Sequence, residues 1–182
     1  MFDQNGYRKY LSSAERRAYL QAIKAEPKVA HRAFLLTLYY SGCRISEALN
    51  LVVRRVDLST GALIMETLKR RKRGCFRAVP VPDALLDLLR EVITGRDPNE
   101  RIWEFSRTTG WRMVKAKMEE ARIWGGMACP KGLRHGHAVA CVSKKIPLPT
   151  VQKWLGHARL ETTAIYLDVH AEEERELARR LW

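Results

Sequence analysis

The chain has 182 residues, 46% of them hydrophobic, which suits one domain with a buried core and argues against intrinsic disorder. Its formal charge of +13 favours a polyanionic partner, nucleic acid ahead of an anionic membrane surface. No apolar run approaches the roughly 20 residues of a membrane span, and the first residues lack the apolar stretch of a secretory signal, so neither a membrane-spanning nor an exported protein is expected.

Ser12-Ser13-Ala14-Glu15 has the form of a capping box and opens a helix expected to reach about residue 24, ahead of Pro27. Residues 29–40 place Phe34, Leu35, Leu38 and Tyr39 at helical spacing, and Ser41-Gly42 ends that helix. A third helix begins near Arg44, turning Ile45, Ala48 and Leu49 inward and leaving Arg44 at its N-terminal end. Between residues 61 and 82 the pattern changes. Ala62-Leu63-Ile64-Met65 and Phe76-Arg77-Ala78-Val79-Pro80 read as two strands flanking a charged turn near Gly74. Asp83 then caps a helix whose apolar stripe is Leu85, Leu86, Leu88, Leu89 and Ile93.

A loop over residues 94–100 leads to a helix over 106–122 with Trp111, Val114 and Met118 on one side. Residues 124–131 connect it to a helix over 132–143. Short helices over 149–155, ended by Gly156, and over 161–166 follow, then an amphipathic tail over 170–182. The predicted fold is mainly α with a small antiparallel β-sheet, an α+β chain forming a single domain.

Cys43, Cys75, Cys129 and Cys141 are scattered without a CxxC pair or a Cys/His cluster. They read as reduced thiols of a cytoplasmic protein, with neither a metal site nor a disulfide framework. The densest charge is Lys69-Arg70-Arg71-Lys72-Arg73, with Arg77 beyond, set at a hairpin tip. Locally, each remaining polar landmark has an ordinary reading. Arg44 can be a helix arginine paired with Glu47, His157 a residue after a helix-ending glycine, and Tyr166 a packing tyrosine.

The joint pattern is more specific. Gly42-Cys43-Arg44-Ile45-Ser46-Glu47, the hairpin lysines, Lys131-Gly132-Leu133-Arg134-His135, Leu155-Gly156-His157 and Tyr166 follow one another in a fixed order. That order resembles the catalytic signature of the tyrosine recombinase (phage integrase-like) family and spans nearly the whole chain. Phosphodiester chemistry explains the residue types. Fixed cations offset the charge that builds on the phosphate oxygens, and arginine meets two of them with a planar fork. A tyrosine, with an ordinary pKa of about 10, needs such a setting to act as nucleophile.

The resemblance implies the catalytic-domain fold of that family and a site-specific recombinase or integrase of DNA working through a 3′-phosphotyrosyl link, without metal or cofactor. It assigns Arg44, Lys69, Lys131, Arg134, His157 and Tyr166 to catalysis and Glu47 to support. Lys69 is preferred to Lys72 as the lysine that protonates the leaving oxygen. Arg70, Arg71, Lys72, Arg73 and Arg77 are expected to hold the backbone of double-stranded DNA. Lys131 departs from the commonest family residue, histidine, and cannot readily shuttle a proton near neutral pH. His135 and His137 stand outside the catalytic set, and Trp154 is read as core packing.

By the same resemblance, the tail helix passes to a neighbouring subunit on DNA, and the protein belongs with the nucleoid. The separate helical DNA-binding domain that most members carry ahead of this one has no counterpart in these residues. Two other functions stay open: a non-catalytic DNA-binding relic, and a type IB topoisomerase-like relaxing enzyme.

Overall fold

The Ser12 cap forms as its sequence predicts. The Ser12 hydroxyl accepts from Glu15 N–H at 3.3 Å while Glu15 takes the Ser12 N–H at 2.7 Å, starting α1 (Ser13–Lys24). These are features of a computed structural model, which describes residues 1–67, 74–167, 179 and 181. Helix α2 (Val29–Ser41) follows and is ended by Gly42, then the short α3 (Ile45–Leu49). A three-stranded antiparallel sheet comes next, β1 (Val56–Asp57), β2 (Ala62–Glu66) and β3 (Phe76–Pro80), in the order β1-β2-β3. Helices α4 (Asp83–Ile93), α5 (Arg107–Glu120), α6 (Pro130–Ser143), α7 (Leu148–Leu155) and α8 (Glu161–Ala164) complete the described elements.

The expected hairpin is present, with Leu63 opposite Val79 and Met65 opposite Arg77. Strand β1 is an addition too short to show a period of its own. Helix α6 starts two residues earlier than its sequence suggests, because Pro130 occupies the first helical position, where a missing N–H costs nothing. Lys131 thus lies in the first turn of a helix and not in the preceding loop.

The main core gathers α1, α2, α4, α5 and the inner face of the sheet around Tyr19, Phe34, Leu63, Leu85 and Met118. Trp103 closes one side of it, meeting Phe34 edge-on at 5.5 Å and donating its indole N–H to Ala48 O at 2.9 Å, which fixes α3. On α5 the inward row is Gly110, Val114, Lys117 and Met118. Trp111, expected beside Val114 and Met118, is displaced to the rim and is 43% exposed, with Lys115 over its ring. Gly110 takes the inner place because it lies against the Phe34 ring.

A second, smaller core joins α6 and α7 and contains Ala138, Cys141, Val142, Val151, Leu155 and Tyr166. Trp154 packs against both cores, as core packing would have it. The seam between them carries the polar residues of interest. No helix among the described residues is long and apolar enough to cross a membrane.

Candidate active site

The Gly42–Glu47 segment is built around a reversed chain direction. Gly42 ends α2 at φ +60°, and a Cβ there would fall 2.4 Å from the His137 ring, so both the backbone and the packing demand glycine. Arg44 follows as the N-cap of α3. Glu47 reaches back from the first turn to accept the Arg44 N–H at 2.9 Å and its guanidinium at 2.7 Å. That holds Arg44 with one quarter of its side chain still open to solvent.

Glu47 itself is fully enclosed, and its second oxygen also receives Arg77 Nη2 at 2.7 Å. Burial pushes the Glu47 pKa up, but the Arg77 charge, the Arg44 N–H and the Arg77 hydrogen bond together hold it below the usual carboxylate range. Arg77 also donates to Thr67 Oγ1 at 2.9 Å and Trp154 O at 2.8 Å. Only 5% of its side chain is exposed. Arg77, expected to hold the DNA backbone, has its guanidinium engaged as a strut between β3, α3 and α7, beside a cleft it lines with Thr67, Gln152 and His157.

Arg134, on α6, is buried and donates to Gly42 O at 2.8 Å and Leu155 O at 2.7 Å. One planar fork thus joins the turn before Arg44 to the turn before His157. Burial first, and the neighbouring Arg44 charge second, lower its pKa to about 10, so it remains a cation at neutral pH. Gly156 ends α7 at φ +67° and lies against the Arg77 guanidinium, where a Cβ would come within 2.9 Å.

His157 then enters the site, its N–H bonded to Gln152 O at 3.1 Å and its Nδ1 2.9 Å from Thr163 Oγ1. When the Thr163 hydroxyl donates to Nδ1, the ring hydrogen sits on Nε2, ready for an anion. Burial and the charges of Arg134 and Arg44 depress the His157 pKa to about 4, which keeps the ring neutral.

Tyr166 is 1% exposed. Its ring lies nearly parallel to that of His157, with centroids 6.3 Å apart, and its N–H bonds to Thr163 O at 3.1 Å. Its hydroxyl meets His135 Nδ1 at 2.7 Å. Burial raises the phenol pKa, while Arg134 and Arg44 pull it down.

The structure brings together Arg44, Glu47, Arg134, His157 and Tyr166, drawn from α3, α6, the turn after α7 and the turn after α8. Lys131 lies on the flank, exposed, beside a cleft of about 210 Å³ that it shares with Lys9, Cys129 and His135. Lys69, Arg70, Arg71, Lys72 and Arg73 lie outside the described residues, as does the tail segment of 170–182 apart from residues 179 and 181. Among the described residues no group of three or more His, Cys, Asp or Glu side chains is arranged to hold a metal.

The sequence reading left His135 outside the catalytic set and gave Thr163 no role. His135 reaches Tyr166 only where α6 packs against the turn after α8, and Thr163 reaches His157 where α8 packs against the turn after α7. Arg77 did carry a signal. In a strand with period two, an inward Val79 puts Arg77 on the same face.

Comparison with known proteins gives one consistent picture. The model of the phage integrase family matches residues 9–173. A tyrosine recombinase of Thermosipho africanus is 30% identical over 177 residues, covering 94% of this chain and 61% of that protein. Tyrosine recombinase XerA of Pyrococcus furiosus is 31% identical over 182 residues, with the same two coverages. The chain therefore spans about three fifths of the length of these relatives. Among solved structures, a XerA recombinase crystal structure superposes with a TM-score of 0.77 at 24% identity, covering 94% of this chain and 64% of that one. The catalytic domain of bacteriophage HP1 integrase gives a TM-score of 0.63 at 20% identity, covering 87% and 86%.

Proposed function

This chain belongs to the phage integrase family, and from that premise we propose that it is the catalytic domain of a tyrosine-type site-specific DNA recombinase. The observation that supports the reading is the placement of Arg44, Arg134 and His157 around Tyr166, one phenol beside three side chains of the kind that binds phosphate. Tyr166 attacks a DNA phosphorus, forming a 3′-phosphotyrosyl bond and releasing a 5′-hydroxyl. The 5′-hydroxyl of a second strand reverses the step and exchanges strands.

The solvent-facing part of Arg44 and the two Arg134 amino groups supply positive charge around the phosphate oxygens, and His157 adds a neutral donor. Glu47 and Arg77 do not meet the substrate. They fix where Arg44 and His157 stand, Arg77 through its bond to the Trp154 carbonyl. Because Tyr166 is enclosed in the free protein, duplex DNA reaches the phenol only by displacing neighbouring side chains.

Lys69 protonates the departing 5′-oxygen, and Arg70, Arg71, Lys72 and Arg73 follow the duplex backbone. Lys131 adds charge from the edge of the site. No step calls for metal or cofactor. The tail segment of 170–182 joins a neighbouring subunit on DNA, and the protein acts at the nucleoid. The charge of +13 supports the DNA partner. Solved relatives include a XerH recombinase bound to its difH substrate, at a TM-score of 0.74.

A nicked suicide substrate tests the reading. Its cleavage releases a short oligonucleotide that cannot religate, so a covalent protein–DNA band should accumulate on a denaturing gel. Tyr166→Phe should bind DNA and give no band. Binding without any adduct from the unaltered chain would favour a relic, and supercoil relaxation without strand exchange would favour a topoisomerase-like enzyme.

A further inference from the structure

Among the described residues, the assigned site has cations and donors in number but no acceptor placed to receive the Tyr166 proton. Arg44, Arg134 and Lys131 are of donor types that carry no acceptor atom. His157 presents the face of its ring to the Tyr166 ring, and its Nδ1 is engaged with Thr163. One acceptor does touch the phenol. His135 Nδ1 lies 2.7 Å from Tyr166 Oη, with the two ring planes inclined at 51°.

We propose that His135 is a further catalytic residue of this chain, the general base that takes the Tyr166 proton during cleavage and returns it during religation. The inference rests on the recombinase reading above and adds to it a residue outside the assigned set. As Oη bonds to phosphorus, its proton passes to Nδ1 and the ring becomes an imidazolium. The bond from phosphorus to the 5′-oxygen breaks, and that oxygen takes its proton from a separate acid, the role given to Lys69. Religation runs the same transfers backwards.

Three features support the assignment. His135 is half-buried, and burial, with the charges of Lys131, Arg134 and Lys9, lowers its pKa to about 4, so the ring is neutral near pH 7 and, with its hydrogen on Nε2, turns the Nδ1 lone pair to the phenol. Asp3 is the one carboxylate among the residues lining the cleft that His135 borders. His135 is also the residue after Arg134 on α6, so one rigid helical turn holds both the proton acceptor and a phosphate-binding cation. Finally, the ring touches the phenol on one side and borders the open cleft of about 210 Å³ on another, which gives the accepted proton a way to exchange with solvent.

Single-turnover adduct formation on the suicide substrate, with the full chain, tests this. His135→Ala and His135→Asn should each slow the reaction about 10²–10⁴-fold while binding DNA as the unaltered chain does. Asparagine can accept a hydrogen bond from the phenol but cannot take its proton, so it separates proton transfer from mere positioning. Added imidazole should restore a substantial part of the His135→Ala rate, in proportion to its neutral fraction. Unaltered rates in His135→Ala, or full activity in His135→Asn, would overturn the proposal. Should His135→Ala fail to fold, as a thermal melt would show, the asparagine variant alone decides. If the unaltered chain itself forms no adduct, the recombinase reading falls and this inference with it; slow variants beside an active unaltered chain separate the two.

Discussion

Replacing Arg77 with alanine removes a side chain that ties β3, α3 and α7 together. Glu47 loses its 2.7 Å partner, and the Thr67 hydroxyl and Trp154 carbonyl lose donors at 2.9 and 2.8 Å. Removing one member of a buried ion pair costs about 3–5 kcal/mol, because the remaining charge stays desolvated. Arg44 still holds Glu47, so the lower end, about 3 kcal/mol, is expected here. In a chain of this size that corresponds to a fall in Tm of about 6–12 °C.

The pH dependence of the same variant is a sharper test. The folded Glu47 pKa lies below its unfolded value, so its stabilisation is complete above about pH 4.3 and is lost as pH falls through the folded value. The gap between the unaltered protein and Arg77→Ala, read by thermal denaturation, should therefore narrow below about pH 4. A stability change within about 0.5 kcal/mol, accompanied by weaker DNA binding with a flatter salt dependence, would refute this reasoning. Arg77 would then be a phosphate contact after all.

Arg134→Lys should fail to substitute, since a single ammonium cannot span Gly42 O and Leu155 O as the fork does. A buried carbonyl left unpaired costs about 1–3 kcal/mol, so a lower Tm should accompany a loss of adduct formation. Gly156→Ala should cost about 1–2 kcal/mol for the left-handed backbone alone, and more because its Cβ meets the Arg77 guanidinium at 2.9 Å. Cleavage should fall with it, as His157 is the next residue. A Gly156→Ala protein with unaltered melting and cleavage would show that the turn has room to spare.

The parts of this fold that were legible are those in which local chemistry and tertiary packing agree. The Ser12–Glu15 cap, the apolar stripe of α4 and the glycine ends of α2 and α7 each follow from residues a few positions apart. Trp111 misled because helical spacing names a row of residues without saying which edge of it the core will take, and the small Gly110 let the Phe34 ring claim the inner place. At the site, order along the chain pointed to Arg44, Arg134, His157 and Tyr166, which the fold does gather. The same order included His135 without giving it a role, because its partner is 31 residues away and is reached only once α6 and the turn after α8 have docked. Arg77 was hidden by its neighbours, since a basic run invites a solvent-facing reading that strand alternation contradicts.

The fork of Arg134 has a consequence for the life of the chain before it is native. It closes one contact across 92 residues and another across 21, and such distant closures carry an entropic cost that grows with the loop and tend to be completed late. A nascent or half-unfolded chain therefore possesses its tyrosine without the cradle that would turn it against a phosphate. On the proposed reading, the capacity to cleave DNA therefore arrives with the completed fold and not before it.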